Sequence, residues 1–249
     1  MQRYFIKNNQ IVRNKVIIND GDYHHIKNVM RMKEKERIFV CDEDENVYLS
    51  EIEIINNKEV ILNILLKIED QVELEVDVTI AFGLAKRDKQ EEVARKITEL
   101  GASGFIPVEM ERSVVRLSHQ KESKLERLKL IVKEAAEQSH RCKMMKVSDA
   151  ISFTELLKVS QDYDLLLYAY EEEGRRHNYQ FKQLLQNFHG KRILVLVGPE
   201  GGISPQEVEI LNQNGFLAIG LGPRILRCET APLYIMSAIS YELELKNES

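Results

Sequence analysis

The chain has 249 residues, of which 43% are hydrophobic and 30% charged, a composition typical of one large or two modest folded domains rather than of a disordered chain. No apolar run approaches the roughly 18 residues of a membrane span, and residues 1–10 lack the apolar core of a secretion signal, so we expect a cytoplasmic protein. Cys41, Cys142 and Cys228 are widely spaced and form no C-x-x-C pair, which argues against a disulfide framework and against a zinc site.

The net charge of -5 argues at first against a nucleic-acid partner, because binding to a polyanion relies on Lys and Arg side chains. The charge is unevenly distributed, however. Basic residues outnumber acidic ones in residues 1–37 and again in 86–146, whereas residues 42–75 are mostly acidic. This asymmetry permits a basic face that contacts RNA.

Residues 1–72 contain short apolar or alternating segments separated by Asn, Asp and Gly, a pattern typical of the strands of a small β-barrel or sandwich. A helix at about 22–30 interrupts them, since apolar side chains recur there at helical spacing. The paired His24 and His25 lack a third ligand and do not indicate a metal site. The predicted strands are Lys15–Ile18, Arg37–Cys41, Asn46–Ile55 and Glu59–Ile68.

At about residue 73 the pattern changes to strands that alternate with helices, so we predict two domains, at residues 1–72 and 73–249. Alternation of this kind is typical of an α/β domain with a parallel sheet. The predicted strands are Val76–Gly83, Phe105–Val108 and Leu165–Tyr168, and the predicted helices are Lys89–Leu100, Ser123–Ser139 and Asn178–Asn187.

Two glycine-containing loops follow short apolar strands near the C-terminus. The run Ile193–Val197 predicts a buried strand, and the GPEGG segment after it, residues 198–202, is the first glycine loop. A strand at about 216–221 ends in another glycine turn, Gly222-Pro223, and residues 220–223 are here called the second glycine loop. Parallel sheets bind ligands at the carboxyl ends of their strands, so both loops are predicted to line one site.

Each glycine loop is followed by a predicted helix. The SPQE segment after the first loop forms a capping box with proline at the first helical position, so a helix is expected over residues 205–214. Residues 224–229, the arginine loop, follow the second glycine loop and lead to a last helix opened by Pro232.

The glycine loops allow four interpretations. GPEGG lacks the Lys-Ser/Thr of a P-loop and does not match G-x-G-x-x-G, so phosphate or dinucleotide binding is weakly supported and a nucleoside-sized cofactor fits better. Alternatively the glycines only form tight turns. A small-molecule enzyme that uses a nucleotide at these loops is a further alternative.

The segments LVGPEGGIS (196–204) and LGPRILRCETAP (221–232) resemble the signature of the SPOUT class of S-adenosylmethionine-dependent RNA methyltransferases, and within it the ribosomal RNA small subunit methyltransferase E family. Residues 86–101, 106–115 and 134–141 are also similar to segments of that family, as is HHIKNVMRMK near the N-terminus. The resemblance implies methylation of N3 of uridine 1498 in 16S rRNA, with free rRNA or the small ribosomal subunit as partner.

The resemblance also implies an architecture: a PUA-like β-barrel that grips RNA, followed by a SPOUT α/β domain closed by a trefoil knot. General packing rules disfavour threaded chains, so the knot is expected from the resemblance alone. A homodimer is implied too, with the last helix, about Pro232 to Leu245, at its interface.

In the family the adenosine of S-adenosylmethionine lies among the backbone groups of three loops, with Leu226 here packing on the adenine. The positions that the resemblance assigns to the cofactor are Leu196, Val197, Gly198, Pro199, Glu200, Gly201, Gly202, Ile219, Gly220, Leu221, Gly222, Arg224, Ile225, Leu226 and Cys228.

Four charged residues are the candidates for catalysis. Arg227 in the first place, or Arg224, is expected to stabilise negative charge on the uracil oxygens, while Glu200 or Glu229 accepts a proton or orients an arginine. Each of them is alternatively a helix-end or interface ion pair. The candidates for RNA contact, alternatively a solvated face, are Arg3, Lys27, Arg31, Lys33, Lys86, Arg112 and Arg141.

The sequence departs from the family at two places. Cys228 stands where the family commonly has threonine, and because attack by N3 needs no covalent cysteine, we interpret it as a small packing residue. The stretch Cys142–Val147 also differs from relatives. The alternative function is an RNA-binding protein with an inactive methyltransferase fold.

Overall fold

The computed structural model describes residues 1–69, 72–119, 122–175 and 180–245. The chain forms two compact units: the first comprises residues 1–73 and 136–144, and the second comprises 74–135 and the chain from 145 onward. The first unit thus includes residues 136–144, which the sequence-based division assigns to the second domain.

The first unit is built on one six-stranded sheet with the strand order β1-β4-β5-β6-β3-β2. β1 pairs with β4 in parallel, and the other neighbours are antiparallel. Its core is apolar and includes fully buried Val16, Ile38 and Leu62. The strands are β1 (Arg3–Phe5), β2 (Ile11–Val12), β3 (Lys15–Ile18), β4 (Arg37–Cys41), β5 (Val47–Ile55) and β6 (Val60–Ile68).

The helix expected at 22–30 forms, but its second half is wider than an α-helix. α1 (Gly21–His24) begins at Asp20, whose side chain accepts a hydrogen bond from the Asp22 N–H. A π-helical turn, His25–Val29, follows, and the Met30 N–H donates to the His25 carbonyl at 2.8 Å, five residues back. Such π turns are rare insertions that helical periodicity does not reveal.

The second unit is an α/β domain whose seven strands all pair in parallel, as expected. Six of them follow the order β10-β8-β7-β12-β11-β13, and β9 pairs with β8. The strands are β7 (Asp77–Gly83), β8 (Gly104–Glu109), β9 (Lys146–Val147), β10 (Ile151–Ser152), β11 (Leu165–Ala169), β12 (Arg192–Val197) and β13 (Leu217–Ile219).

Helices cover both faces of this sheet, and β12 shows why it lies at the centre. Ile193, Val195 and Val197 belong to one buried cluster, whereas Leu194 and Leu196 belong to another on the opposite face. A continuous apolar run is what burial on both faces requires. The helices are α2 (Arg87–Glu99), α3 (Glu122–Gln138), α4 (Phe153–Val159), α5 (Glu171–Arg175), α6 (Gln180–Gln186), α7 (Pro205–Gln213) and α8 (Ala231–Leu243).

Two parts of the structure refine the sequence-based elements. The capping box at the start of α7 is formed, and Gly215 after it has a φ of 82°, the left-handed conformation that ends helices. The short elements β9, β10, α4 and α5 were not predicted from the sequence, although α4 begins with a capping box formed by Ser152 and Glu155. Residues 178 and 179 of the expected helix 178–187 lie outside the described residues. None of the described helices is long and apolar enough to cross a membrane.

Candidate active site at the glycine loops

The two glycine loops leave the sheet at the same edge. β11 pairs in parallel with β12 on one side and with β13 on the other, so the carboxyl ends of the three strands are neighbours. The first glycine loop follows β12 and the second follows β13. α5, which follows β11, lies between them in strand order. This is the edge at which parallel sheets commonly bind ligands.

The second glycine loop packs closely against α5. A Cβ atom at Gly220 would lie 2.6 Å from the Gly174 Cα and from the Glu173 carbonyl carbon, closer than real Cβ atoms approach. Glycine at 220 is therefore required by backbone packing and not only by a turn.

The first glycine loop is held by the segment after β8. Arg112 Nη1 donates to the Gly201 carbonyl at 3.2 Å and to the Ile203 carbonyl at 3.4 Å. A Cβ at Gly201 would lie 2.9 Å from the Arg112 Cβ and 3.1 Å from the Arg112 carbonyl oxygen. Arg112, a candidate for RNA contact, thus binds the backbone of the first glycine loop.

The start of α7 is locked to the same segment. Glu207, which is buried, accepts hydrogen bonds from the Ser204 N–H at 2.9 Å and from the Glu111 N–H at 2.8 Å. The capping carboxylate therefore does two things: it satisfies a helix end and it anchors residues 111–112 beside the loop.

A cluster of charged side chains joins the first glycine loop to the arginine loop. Lys89 Nζ lies 3.0 Å from Glu229 Oε2 and 3.6 Å from Glu200 Oε1. The Cys228 thiol donates to Glu229 Oε2 at 3.2 Å. Lys89 comes from the first turn of α2, so three separate segments of the chain meet in this cluster.

The cluster sets the protonation of its members. Partial burial by itself would raise the pKa of Glu229, but the backbone N–H of Glu229, the Lys89 ammonium and the Cys228 thiol together lower that pKa to about 2. Burial and the hydrogen bond to Glu229 raise the pKa of Cys228 to about 12, and the hydrogen bond to Glu229 raises the pKa of Lys89.

The protonation states at neutral pH follow directly: Glu229 is an anion, Lys89 a cation and Cys228 a neutral thiol. A carboxylate with a pKa near 2 is a weak base, so Glu229 is suited to orient cations and not to accept a proton. The neutral thiol is a poor nucleophile, in keeping with Cys228 as a packing residue.

The arginine loop has both inward and outward side chains, and Ile225, one of the positions assigned to the cofactor, is 64% exposed. Leu226 and Cys228 pack against the core of the second unit. Arg224 and Arg227 point into solvent, and the side chain of Arg227 is 85% exposed. Arg227 Nη1 lies 3.9 Å from Glu229 Oε1, so the carboxylate that binds Lys89 also faces this arginine.

Four of the candidates for RNA contact lie at least partly at the surface. Arg31, Lys33 and Lys86 are exposed. Lys27 is half-buried and donates to the Tyr23 hydroxyl and the Asn56 carbonyl, both at 2.8 Å.

Among the described residues, no group of three or more His, Cys, Asp or Glu side chains is placed to hold a metal ion.

Arg3 and Arg141 are each only 3% exposed, and their placement corrects the expectation that they face RNA. Arg3 Nη1 donates to the carbonyls of His140 at 2.6 Å and Arg141 at 3.1 Å. Arg141 Nη2 pairs with Glu73 Oε2 at 2.5 Å. Both guanidinium groups therefore hold the first unit together, and their burial follows from long-range contacts that a basic stretch of sequence does not reveal.

Lys89 and Glu207 are parts of the site that the sequence did not single out as functional. Lys89 belongs to a segment similar to the family, but its partner Glu229 lies 140 residues along the chain. Glu207 was expected as a helix cap, and its second bond, to Glu111, spans 96 residues. Only the folded chain brings these pairs together.

Family models of known proteins match residues in both units of the chain. A family model described as RNA methyltransferase domain matches residues 72–240, and one described as RNA methyltransferase PUA domain matches residues 18–65. The ribosomal RNA small subunit methyltransferase E of Bacillus subtilis (strain 168) is 43% identical over 251 residues, which cover 98% of either chain.

Two solved structures are similar to this chain over nearly its whole length. A crystal structure of a hypothetical protein, 40% identical, superposes with a TM-score of 0.88 and covers 98% of this chain and 99% of its own. The crystal structure of ribosomal RNA small subunit methyltransferase E from Neisseria gonorrhoeae bound to S-adenosyl methionine is 28% identical, with a TM-score of 0.84 and coverage of 96% and 97%.

Proposed function

Because the chain belongs to the ribosomal RNA small subunit methyltransferase E family, we propose that it transfers the methyl group of S-adenosylmethionine to N3 of a uridine in 16S rRNA, the position equivalent to uridine 1498. The expected fold class, a SPOUT α/β methyltransferase domain preceded by a PUA-like domain, is confirmed by the family matches. The observation that carries the proposal is the meeting of both glycine loops at one edge of the parallel sheet, with Lys89 joining the first of them to the arginine loop.

The proposed cofactor site consists of the main chain of residues 196–202 and 219–222 together with the arginine loop. A Cβ at Gly202 would meet no atom within 4 Å, so there is open space beside the first loop at this residue. Leu226 offers an apolar surface for an adenine, and the carboxylates of Glu200 and Glu229 suit a cationic sulfonium. The relative from Neisseria gonorrhoeae with bound S-adenosyl methionine supports this assignment.

The cofactor supplies an activated methyl group, so the task of the protein is alignment and electrostatics. Holding N3 in line with the methyl carbon at near-attack distance contributes about 7–11 kcal/mol. Arg227, exposed and held near Glu229, is proposed to stabilise the negative charge that develops on the uracil oxygens. Glu229 orients the cations around it, and Glu200 is the carboxylate left to take the N3 proton.

The first unit is proposed to grip the rRNA. Arg31 and Lys33 are exposed after the π-helical turn, and Lys27 lies within that turn. Lys86, at the start of α2 in the second unit, is proposed as a further RNA contact. Cations of this kind neutralise phosphates and set the salt dependence of binding. The substrate places the proposed activity in the cytoplasm.

Two further features are proposed: a trefoil knot formed by the last segment, which rests on the family alone, and a homodimer through α8. The exposed aromatic side chains of Tyr234 and Tyr241 and the exposed Leu245 after the helix support pairing of two copies there, since clustered exposed apolar groups mark interfaces.

The test of the proposed function is chemical. The gene is deleted in its host, 16S rRNA is digested to nucleosides, and 3-methyluridine is measured by mass spectrometry. We expect this nucleoside to disappear from 16S rRNA and to return when the wild-type gene is restored. Retention of 3-methyluridine in the deletion strain would contradict the N3 assignment.

Calorimetry with purified protein separates the enzyme from an inactive RNA-binding fold. We expect S-adenosylmethionine and S-adenosylhomocysteine both to bind. If neither binds while rRNA does, the protein is an RNA-binding relative without the activity.

A further inference from the structure

The charged partners of Lys89 lie outside its own helix. Lys89 lies in the first turn of α2, yet its ammonium group reaches away from the helix to Glu229 at 3.0 Å and to Glu200 at 3.6 Å. Glu200 belongs to the first glycine loop and Glu229 ends the arginine loop. One cation therefore joins the two segments that surround the proposed methyl donor.

The contrast with Lys96 on the same helix shows that this is not an ordinary surface pair. Lys96 is 47% exposed and pairs with Glu99 three residues away, a local contact that contributes little. Lys89 is 24% exposed, and its two partners, also shielded, come from distant parts of the chain. A shielded pair between distant segments fixes their relative position, which a local pair on one helix does not.

The charges explain why a cation is needed at this point. The two carboxylates approach the same ammonium group, so the oxygens that face it lie within about 7 Å of each other, and two like charges at that distance repel in a partly shielded site. The other groups that face Glu229 are the Cys228 thiol, which donates one hydrogen bond, and the exposed Arg227 at 3.9 Å. Lys89 is the cation within hydrogen-bond distance of Glu229 in the described part of the chain.

We infer that Lys89 is a positioning residue for methyl transfer: through Glu200 it holds the first glycine loop, and through Glu229 it holds the arginine loop and the orientation of Arg227. This inference rests on the proposed function and adds to it a residue that touches neither cofactor nor base. Its effect passes entirely through the two carboxylates.

The variants Lys89→Met and Lys89→Arg test this role, with Lys96→Met as the matched control on the same helix. Cofactor affinity is measured by calorimetry with S-adenosylhomocysteine, and kcat and KM are measured with 16S rRNA or small subunits. We expect Lys89→Met to weaken cofactor binding about tenfold and to lower kcat as well. Lys89→Arg should recover most of both, and Lys96→Met should match the wild type.

The pH profile distinguishes positioning from simple loss of stability. Without the Lys89 cation the depressed pKa of Glu229 rises toward its ordinary value, and protonation of Glu229 releases the cations that it orients, so kcat/KM in Lys89→Met should begin to fall at a higher pH. In the wild type the pKa of Glu229 is about 2, so Glu229 remains an anion throughout the range in which activity is usually measured. Thermal unfolding of each variant shows whether the fold is intact.

Two outcomes overturn the inference. One is a Lys89→Met variant whose cofactor affinity, kcat and pH profile equal those of the wild type. The other is a Lys89→Met variant that loses activity only in proportion to a lowered melting temperature, with no shift in the pH at which kcat/KM begins to fall. If the wild-type protein itself neither binds the cofactor nor methylates rRNA, the proposed function fails and this inference falls with it.

Discussion

The first glycine loop and the arginine loop face the same proposed ligand but are held very differently. Gly198 and Pro199 are buried, and the side chains of Arg112 and of the capped start of α7 hold the following residues by hydrogen bonds to main-chain groups. The arginine loop is anchored by inward Leu226 and Cys228 and leaves its cations in solvent. The difference suggests a division of work: a rigid backbone cradle for the cofactor and accessible side chains for the base.

Gly201→Val is the strongest test of the first glycine loop as the backbone that binds the cofactor. A Cβ at this position already lies 2.9 Å from the Arg112 Cβ, so a branched side chain must displace the segment that holds the loop. We expect cofactor binding to fall below detection in calorimetry while the protein stays folded by circular dichroism. Gly21→Ala, where a Cβ meets nothing within 4 Å, is the control. Wild-type affinity in Gly201→Val would show that the first loop is not the cradle.

Arg227→Ala tests the proposed role of the exposed arginines of the arginine loop. Its side chain is 85% exposed, so removing it should barely change stability or cofactor affinity. We expect kcat to fall by about 10²–10³-fold, the effect of losing one preorganised electrostatic donor. Arg192→Ala, at the opposite end of β12, is the matched exposed arginine. Should Arg227→Ala instead raise KM for the cofactor with kcat unchanged, the arginine loop would belong to the cradle.

The local elements of the site and its long-range contacts differ in how far the sequence predicts them. The strand before the first glycine loop, the capping box and the glycines were predictable, because apolar runs, caps and turns are local properties of the chain. The ion pairs of Lys89 and the second bond of Glu207 were not, since they join segments that become neighbours only in the folded sheet.

The same limit explains the arginines of the first unit. Arg3 and Arg31 carry the same charge in the same basic stretch, yet one is buried against carbonyl groups and the other is exposed. Charge patterning reports how many cations a segment carries, whereas burial depends on the packing of residues 136–144 beside β1.

Glu207→Ala measures how much the first glycine loop depends on the carboxylate that binds the Ser204 and Glu111 N–H groups. The variant leaves the N–H groups of Ser204 and Glu111 without their carboxylate, so we expect the free energy of unfolding to fall by about 2–3 kcal/mol in urea titration. Cofactor affinity should weaken with it, because residues 111–112 support Gly201. Glu209→Ala, exposed on the same helix, should change stability by less than about 0.5 kcal/mol. Equal stabilities of the two variants would show that the capping carboxylate anchors nothing.

Cys228→Thr is expected to have the smallest effect and bears on the inward face of the arginine loop. The thiol is protonated, packs against the core and donates to Glu229, and a threonine hydroxyl of similar size can donate to the same oxygen. We expect cofactor affinity and kcat to stay within about threefold of the wild type. Cys228→Val keeps the volume but removes the donor, so any excess loss in that variant reports the hydrogen bond to Glu229. A covalent role for the cysteine would instead abolish activity in both variants, and single-turnover methylation of rRNA distinguishes the two cases.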